Sequence, residues 1–324
     1  YKFDSINGIS LIKFGKITCL SSYGEYRKEY NKPSYGSLCQ RCDIYVYKVL
    51  KAIKTVEFTQ SHVRNGTTFY SSTPTIVKYD KGFILNQRWV NYKYDSHGRK
   101  VTIPKQWITL NSKRILNDSL QQVGDEEFLK SNDVKDRAIG LEDLRLYNYK
   151  GDCHFISNRM AKINYGIYPT HGNTINSTEM RHNIPEKNWS FVEYANKLCV
   201  VYQWHPLTIG HIQDNKLQII HRCSMPKFFE KARGGTPGCI FGGEIWFALH
   251  KCQHKGQFYN YQHFFAVFDL NMNLLRYTDT FKFQGEKVEY CTGIVINECV
   301  MYLSYSTLDS KSFVSKYDIL NLPV

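Results

Sequence analysis

Residues 140–155, GLEDLRLYNYKGDCHF, set two carboxylates and an arginine within four positions and then pass at once into strand-like alternation and a Lys-Gly-Asp turn. Side chains alternate faces along a strand, which sends Glu142, Leu144 and Leu146 one way and Asp143, Arg145 and Tyr147 the other, so one face carries an acid beside a cation. A solvated strand end with a local ion pair accounts for one such cluster. It does not account for recurrence. A polar or special cluster, a short strand, a turn and a strongly apolar strand return in KNWSFVEYANKLCVVYQW from residue 187, GGTPGCIFGGEIWFALHK from 234 and VEYCTGIVINECVMYLSY from 288.

With Asp143, Trp189, Thr236 and Cys291 taken as equivalent positions, the spacings are 46, 47 and 55 residues. Periods of about 40 to 50 residues with several strands each are the signature of propeller blades. A fifth unit, TPTIVKYDKGFILNQRWVNYKYD, begins at Thr73 and precedes Asp143 by 70 residues; LNSKRILNDSLQQVGDEEFLKSNDVKD, residues 110–136, reads as an insertion between them. Almost no 3.6-residue pattern interrupts these short strands, so the chain reads as all-β, a five-bladed β-propeller over residues 73–324. Residues 1–72 read as an N-terminal extension packed on the propeller, able to help close the ring. Within it DIYVYKVLKAIKTVEF, residues 43–58, fits a helix or a pair of strands.

A chain of 324 residues, 42% hydrophobic and 22% charged, can bury a large core and is not of disordered composition. No stretch approaches 18 uninterrupted apolar residues and no signal-peptide layout opens the chain, so no membrane partner is expected. The chain starts at Tyr rather than Met, which leaves an upstream region open. Forty-two Lys and Arg against 29 Asp and Glu give +13. The cations are scattered without a basic run or helix, which argues against nucleic acid as partner and fits an anionic small substrate equally well. The ten cysteines fall mostly inside apolar strand-like runs, as free buried thiols in a cytoplasmic or other reducing compartment would. Cys39 and Cys42 in CQRC have half of a zinc-ribbon spacing that nothing completes, so no metal is expected. Asn65, Asn117, Asn176 and Asn188 stand in Asn-x-Ser/Thr tripeptides.

In a propeller the innermost strands all open at one end of a central channel, where clusters distant in sequence meet. That funnel would receive Arg88 and Asn91 from the first blade, Glu142, Asp143 and Arg145 from the second, Lys187 and Asn188 from the third, Arg233, Gly234, Gly235 and Thr236 from the fourth and Glu289 from the fifth. Acids among cations and amides suit a polar, negatively charged ligand. The Gly234-Gly235 pair would let backbone approach that ligand closely.

GLEDLRLY, EKNWSFVEY, RGGTPGCIF, FALHK with YNYQHFFAVFDL, and VEYCTG with LSYS resemble the successive blades of the mannoside phosphorylases of glycoside hydrolase family 130 and related mannosyltransferases. Leu144 stands where the family motif has proline. The resemblance spans residues 73–324 and implies inverting transfer of a mannosyl-type sugar between a glycan and phosphate, a sugar phosphate or a nucleotide sugar, without cofactor. It makes Asp143 the general acid. Phosphate is already a nucleophile, so the second carboxylate of an inverting hydrolase can give way to cations, for which Arg145, Lys187, Arg233 and His250 are the candidates. Arg88, Asn91, Glu142, Asn188, Thr236, Tyr261 as a hydroxyl donor, and Glu289 would hold substrate. Two rival readings are a non-catalytic glycan- or protein-binding propeller and an inverting glycoside hydrolase using Asp143 with Glu289.

Overall fold

Each hydrophobic seam of the molecule is the meeting of two neighbouring sheets. In the computed structural model, which describes residues 4–6, 9–13, 38–39, 44–101, 104–129, 138–159, 162–169, 172–175 and 186–322, five sheets, antiparallel but for the short pairing of Ala138–Ile139 in the first, form a five-bladed propeller. Blade two runs outward through Glu142–Tyr149, Asp152–Arg159, Lys162–Ile167 and Asn173–Thr174. Blade three uses Ser190–Tyr194, Lys197–Trp204, Leu207–Gln213 and Lys216–Cys223. Blade four uses Cys239–Phe241, Glu244–Lys255, Phe258–Asp269 and Leu274–Tyr277.

Alternating side chains turn to the two faces of each sheet, so each blade feeds two seams. Phe247 and Leu249 of blade four pack against Val201 and Trp204 of blade three. Their neighbours Trp246 and Ala248 pack against Cys291 and Leu303 of blade five. The remaining seams are filled by Val77, Leu144 and Phe155 between blades one and two, Ile156, Trp189 and Val200 between two and three, and Ile76, Phe83 and Val314 between one and five.

Blade one differs from the expectation. The supposed insertion supplies its two outer strands, Trp107–Asn117 and Gln122–Phe128, beyond Thr67–Tyr79 and Gly82–Val90. Gln122–Phe128 is an outermost strand with one face in water, and its run of polar residues hides it from a hydrophobic pattern. The extra length lies instead in the connection 91–106.

Residues 43–58 form strands rather than a helix, and the strands join different sheets. Ile44–Leu50 belongs to a separate four-stranded sheet with Asp4–Ile6, Ile9–Lys13 and Leu38–Cys39, joined to the propeller where the Leu50 N–H donates to Lys282 O at 3.0 Å. Lys54–Glu57 pairs antiparallel with Lys311–Asp318, the outer strand of the chain's last blade. Glu289–Asn297, Val300–Thr307, Lys311–Asp318 and Lys54–Glu57 thus make blade five, and an early segment closes the ring. Ser61–Arg64 pairs with the start of Thr67–Tyr79, so position 72 falls within a strand rather than between domains.

The seven described cysteines are free; Cys199 and Cys291 are buried, Cys299 is exposed and the others lie between. Cys19 and the Cys39/Cys42 side chains lie outside the described residues, as does Asn176. Among the described residues no helix is long and apolar enough to cross a membrane, and no three potential metal ligands cluster.

Candidate active site

Where blade two's innermost strand begins, pairing jumps from Glu142↔Asn158 to Arg145↔Ile156, and Asp143 takes a left-handed φ of +50°. Such a bulge re-aims a side chain, and Asp is among the few residues that tolerate the conformation. The simple alternation of faces therefore breaks, with Leu144 and Arg145 both 1% exposed. Leu144 anchors the bulge in the seam with Val77, Leu146 and Phe155.

Released from the pleat, Asp143 meets blade one. Its Oδ1 accepts from Arg88 Nη1 at 2.6 Å and from Thr73 Oγ1 at 3.3 Å, while Oδ2 has no protein partner among the described residues. Arg88 is buried, donates through Nη2 to the Tyr92 hydroxyl at 3.1 Å, and lies 4.0 Å from a Glu142 carboxylate oxygen. A third acid joins them. Asp309, on the hairpin turn between the second and third strands of blade five, accepts from Ser72 Oγ at 2.9 Å. Burial pushes both the Asp309 and Glu142 carboxyls above their ordinary range; Arg88 opposes this in each case, and Asp143 adds to it. Sequence reading missed Asp309 because a Leu-Asp-Ser turn between strands looks like any other hairpin.

Arg145 has a different task from phosphate binding. Its Nε donates to Gly235 O at 2.6 Å, Nη1 to Asp143 O at 2.8 Å, and Nη2 to the Tyr290 hydroxyl at 2.6 Å and Gly234 O at 3.2 Å. The Tyr290 hydroxyl in turn donates to Asn188 Oδ1 at 2.8 Å. One buried guanidinium thereby ties together the inner-strand starts of blades two to five, with its donors directed at protein acceptors. Gly234 and Gly235 are required by this packing: a Cβ on Gly234 would lie 2.2 Å from Asn188 O, and one on Gly235 2.3 Å from Ala248 O.

Other expected ligand groups are likewise engaged. Asn91 braces its own loop, donating to Gln106 O at 2.8 Å and accepting from the Ile108 N–H at 3.1 Å. Thr236 Oγ1 accepts from the Ala248 N–H at 3.0 Å. Glu289 is fully buried and accepts from the backbone N–H groups of Phe283, Gln284 and Glu286 at 2.7, 2.8 and 2.9 Å, which removes it as the second carboxylate of a hydrolase. His250 is 1% exposed, and burial, then His263 and the cations Arg145, Arg233 and Lys187, hold it well below the ordinary imidazole range. It is a neutral ring. Tyr261 packs beside it, ring centroids 5.6 Å apart, and burial keeps its hydroxyl protonated.

Lys187 and Arg233 are exposed, and they line a cavity of about 640 Å³ together with Asn188, Gly234, Lys231 and Cys252. Asn188 and Gly234 both accept from Arg145, which also binds the Asp143 carbonyl. The cavity therefore begins one side chain away from Asp143.

Together these features define a propeller with a carboxylate and arginine centre at the mouth of its channel and a cation-lined cavity beside it. No family model matches the chain, and no curated protein matches it in sequence. Solved structures do match. A β-1,2-mannobiose phosphorylase from Listeria innocua, in complex with β-1,2-mannobiose, has a TM-score of 0.59 at 11% identity, covering 83% of this chain and 98% of its own. A structure from glycoside hydrolase family 130, the mannoside phosphorylases containing hydrolases that target β-1,2-mannosidic linkages in Candida mannan, has a TM-score of 0.59 at 12% identity, covering 80% and 90%. A glycosyl hydrolase from Bacteroides ovatus has a TM-score of 0.58 at 15% identity, covering 78% and 85%. The chain shares the five-bladed fold of these proteins.

Proposed function

We propose that the chain is a carbohydrate-active enzyme that transfers a mannosyl-type sugar with inversion, between a glycoside and the oxygen of an anion held in the cation-lined cavity. The observation that carries this reading is Asp143, lifted out of its strand on a left-handed bulge, clamped through Oδ1 by Arg88 at 2.6 Å, and linked through Arg145 to Asn188 and Gly234 of the cavity that Lys187 and Arg233 line. A carboxyl fixed by one oxygen presents the other to substrate. In phosphorolysis Asp143 gives its proton to the glycosidic oxygen as the bond to the anomeric carbon breaks. A phosphate oxygen attacks the opposite face, and the proton brought in by hydrogen phosphate replaces the one given up. Run in reverse, a sugar phosphate or nucleotide sugar supplies the mannosyl group and Asp143 takes the proton of the acceptor hydroxyl.

Lys187 and Arg233 offer charge-assisted hydrogen bonds to an anionic nucleophile, which needs no base to activate it. The commitment of Glu289 to three backbone amides supports the same choice. The test is calorimetry with phosphate, mannose 1-phosphate and a neutral mannoside, with a turnover assay on mannose 1-phosphate and acceptors. Phosphate binding lost in Lys187→Ala, with mannoside binding kept, supports the proposal. Mannoside binding with no phosphate binding and no turnover would make the molecule a glycan-binding module.

A further inference from the structure

The first two strands of blade one lose register at the channel mouth. Pairing runs from Ser71↔Trp89 to Pro74↔Gln87, so Ser72 and Thr73 together oppose Arg88 alone. On a regular strand consecutive side chains point to opposite faces and do not meet. The extra residue of this bulge brings the two hydroxyls together, Ser72 Oγ lying 3.3 Å from Thr73 Oγ1. Pro74, which has no N–H to give to a ladder, follows it. Each hydroxyl also reaches an acid: Thr73 Oγ1 is 3.3 Å from Asp143 Oδ1, and Ser72 Oγ is 2.9 Å from Asp309 Oδ1. Asp143, Thr73, Ser72 and Asp309 thus form one continuous chain, two carboxyls joined by two buried hydroxyls.

The far end of this chain is firmly placed. Leu308 and Asp309 take left-handed φ angles of +54° and +46° in the turn before Lys311–Asp318. The Leu308 N–H donates to Val288 O at 2.8 Å, and Leu308 O accepts from the Tyr94 N–H of the connection 91–106 at 2.9 Å. Facing Asp309 are Arg88 of blade one, Glu142 and Asp143 of blade two, Tyr261 of blade four, and Tyr92, Tyr94 and Lys100 of the connection. Burial keeps the three tyrosine hydroxyls protonated. Two cations therefore meet three carboxyls. Arg88 lies 2.6 Å from Asp143 and 4.0 Å from Glu142, whereas Asp309 has no ion-pair partner among the described residues. Asp309 is the acid left over.

The direction of the chain follows from its hydrogens. If both aspartates are ionised, Ser72 donates to Asp309 and Thr73 to Asp143; each hydroxyl has spent its only hydrogen, and none is left for the contact between them. If Asp309 carries a proton, it donates to Ser72, Ser72 to Thr73 and Thr73 to Asp143, and every contact is filled. We infer that Asp309 is a positioning residue for Asp143, a carboxylic acid whose hydrogen turns both hydroxyls towards Asp143 Oδ1. This rests on the function proposed above. When Asp143 gives its proton to the glycosidic oxygen, the charge left behind meets a hydroxyl hydrogen already aimed at it beside the Arg88 guanidinium. Burial raises the Asp309 carboxyl above its ordinary range, in keeping with this role. As pH climbs through the Asp309 titration, that proton passes to water. Ser72 turns back to Asp309, the chain is cut between its hydroxyls, and Asp143 gains a second negative charge nearby, so phosphorolysis slows.

The experiment pairs carbon-13 spectra of aspartate-labelled protein with the pH profile for phosphorolysis of β-linked mannobioses, using melting curves to check folding. The Asp309 carboxyl resonance, identified by its absence from Asp309→Asn, should still be that of the protonated form where the exposed aspartates are ionised. Turnover should step down, and the Asp143 resonance should shift, at the pH where Asp309 titrates. Both steps should vanish in Asp309→Asn and shrink in Ser72→Ala, which breaks the chain at its middle. Thr73→Val should lower turnover by about tenfold or more, the worth of one hydrogen bond to a charged group, and Thr73→Ser should restore most of it. An Asp309 that ionises together with the exposed aspartates, or a turnover step that survives in Asp309→Asn, overturns the positioning role and leaves the proposed transfer standing. A wild type that turns over no mannoside with phosphate and no mannose 1-phosphate with acceptors overturns both.

Discussion

Asp143 owes its position to one backbone angle and one partner, whereas Glu289, equally conspicuous in the sequence, is a cap for three amides. The two acids should separate in experiment. Asp143→Asn should lower turnover by about 10²–10⁴-fold, the usual worth of general acid help, with a melting temperature close to wild type. Glu289→Ala should instead lower stability, because each buried donor left unsatisfied costs about 1–3 kcal/mol; urea unfolding beside the turnover assay reads the difference. His263 sets a pH limit. It is fully buried among Phe281 and Phe283, both ring nitrogens are unpartnered, and burial, then Lys282, lowers it to about 3. The unfolded imidazole takes a proton near its ordinary value of 6.5 and the folded one does not, so stability present above pH 6.5 falls as pH drops from there towards about 3. Melting curves of His263→Phe should be flatter across that window than those of wild type. At this scale the sequence pointed to Asp143 and Arg88 because they begin or end strands of a repeating pattern, and the fold brings the two side chains together. The sequence could not show that the polar atoms of Asn91, Thr236 and Glu289 are spent on neighbouring backbone, nor that Asp309, Tyr94 and Lys100 arrive from turns and loops whose placement has no periodic signal.

At the level of strands, blade count was legible because each innermost strand repeats a cluster, turn and apolar strand. The outer strands were less so. Gln122–Phe128 is polar on its wet face, and Lys54–Glu57, KTVE, carries a single apolar residue between charges, so neither has a pattern distinguishable from a loop. Yet the second of these closes the ring: Val56 opposes Val314, Thr55 Oγ1 bonds Ser315 Oγ at 2.8 Å, and the following Phe58 is buried with Ile76, Phe83 and Val314. Phe58→Ala should cost about 3–5 kcal/mol. Removing residues 1–58 should do more, since it bares the edge of Lys311–Asp318 to pairing with other chains. Light scattering should show association of the shortened protein where the full chain stays dispersed; a monodisperse shortened protein with unchanged melting would deny that strand its closing role.

Across the whole molecule the charge of +13 is spread rather than gathered, while the channel mouth holds both signs at close quarters. A field of that kind draws small anions in without fixing where they bind, and salt weakens it as the screening length falls from about 30 Å at 0.01 M to about 8 Å at 0.15 M. The affinity for phosphate or mannose 1-phosphate should therefore drop over that range while the affinity for an uncharged mannoside stays level. Equal salt dependence for both ligands would place the anion outside the reach of Lys187 and Arg233.

The strand that fastens the last blade also sets a timetable for biosynthesis. Glu57 is polymerised 254 residues before Lys311, its partner strand's first residue. At about 5–20 residues per second the early segment waits on the order of ten to fifty seconds on the ribosome for its mate, while four blades take shape between them. The circle can be locked only once residues 311–318 have been made, and until then the seam that Val314 completes with Ile76 and Phe83 is unfilled.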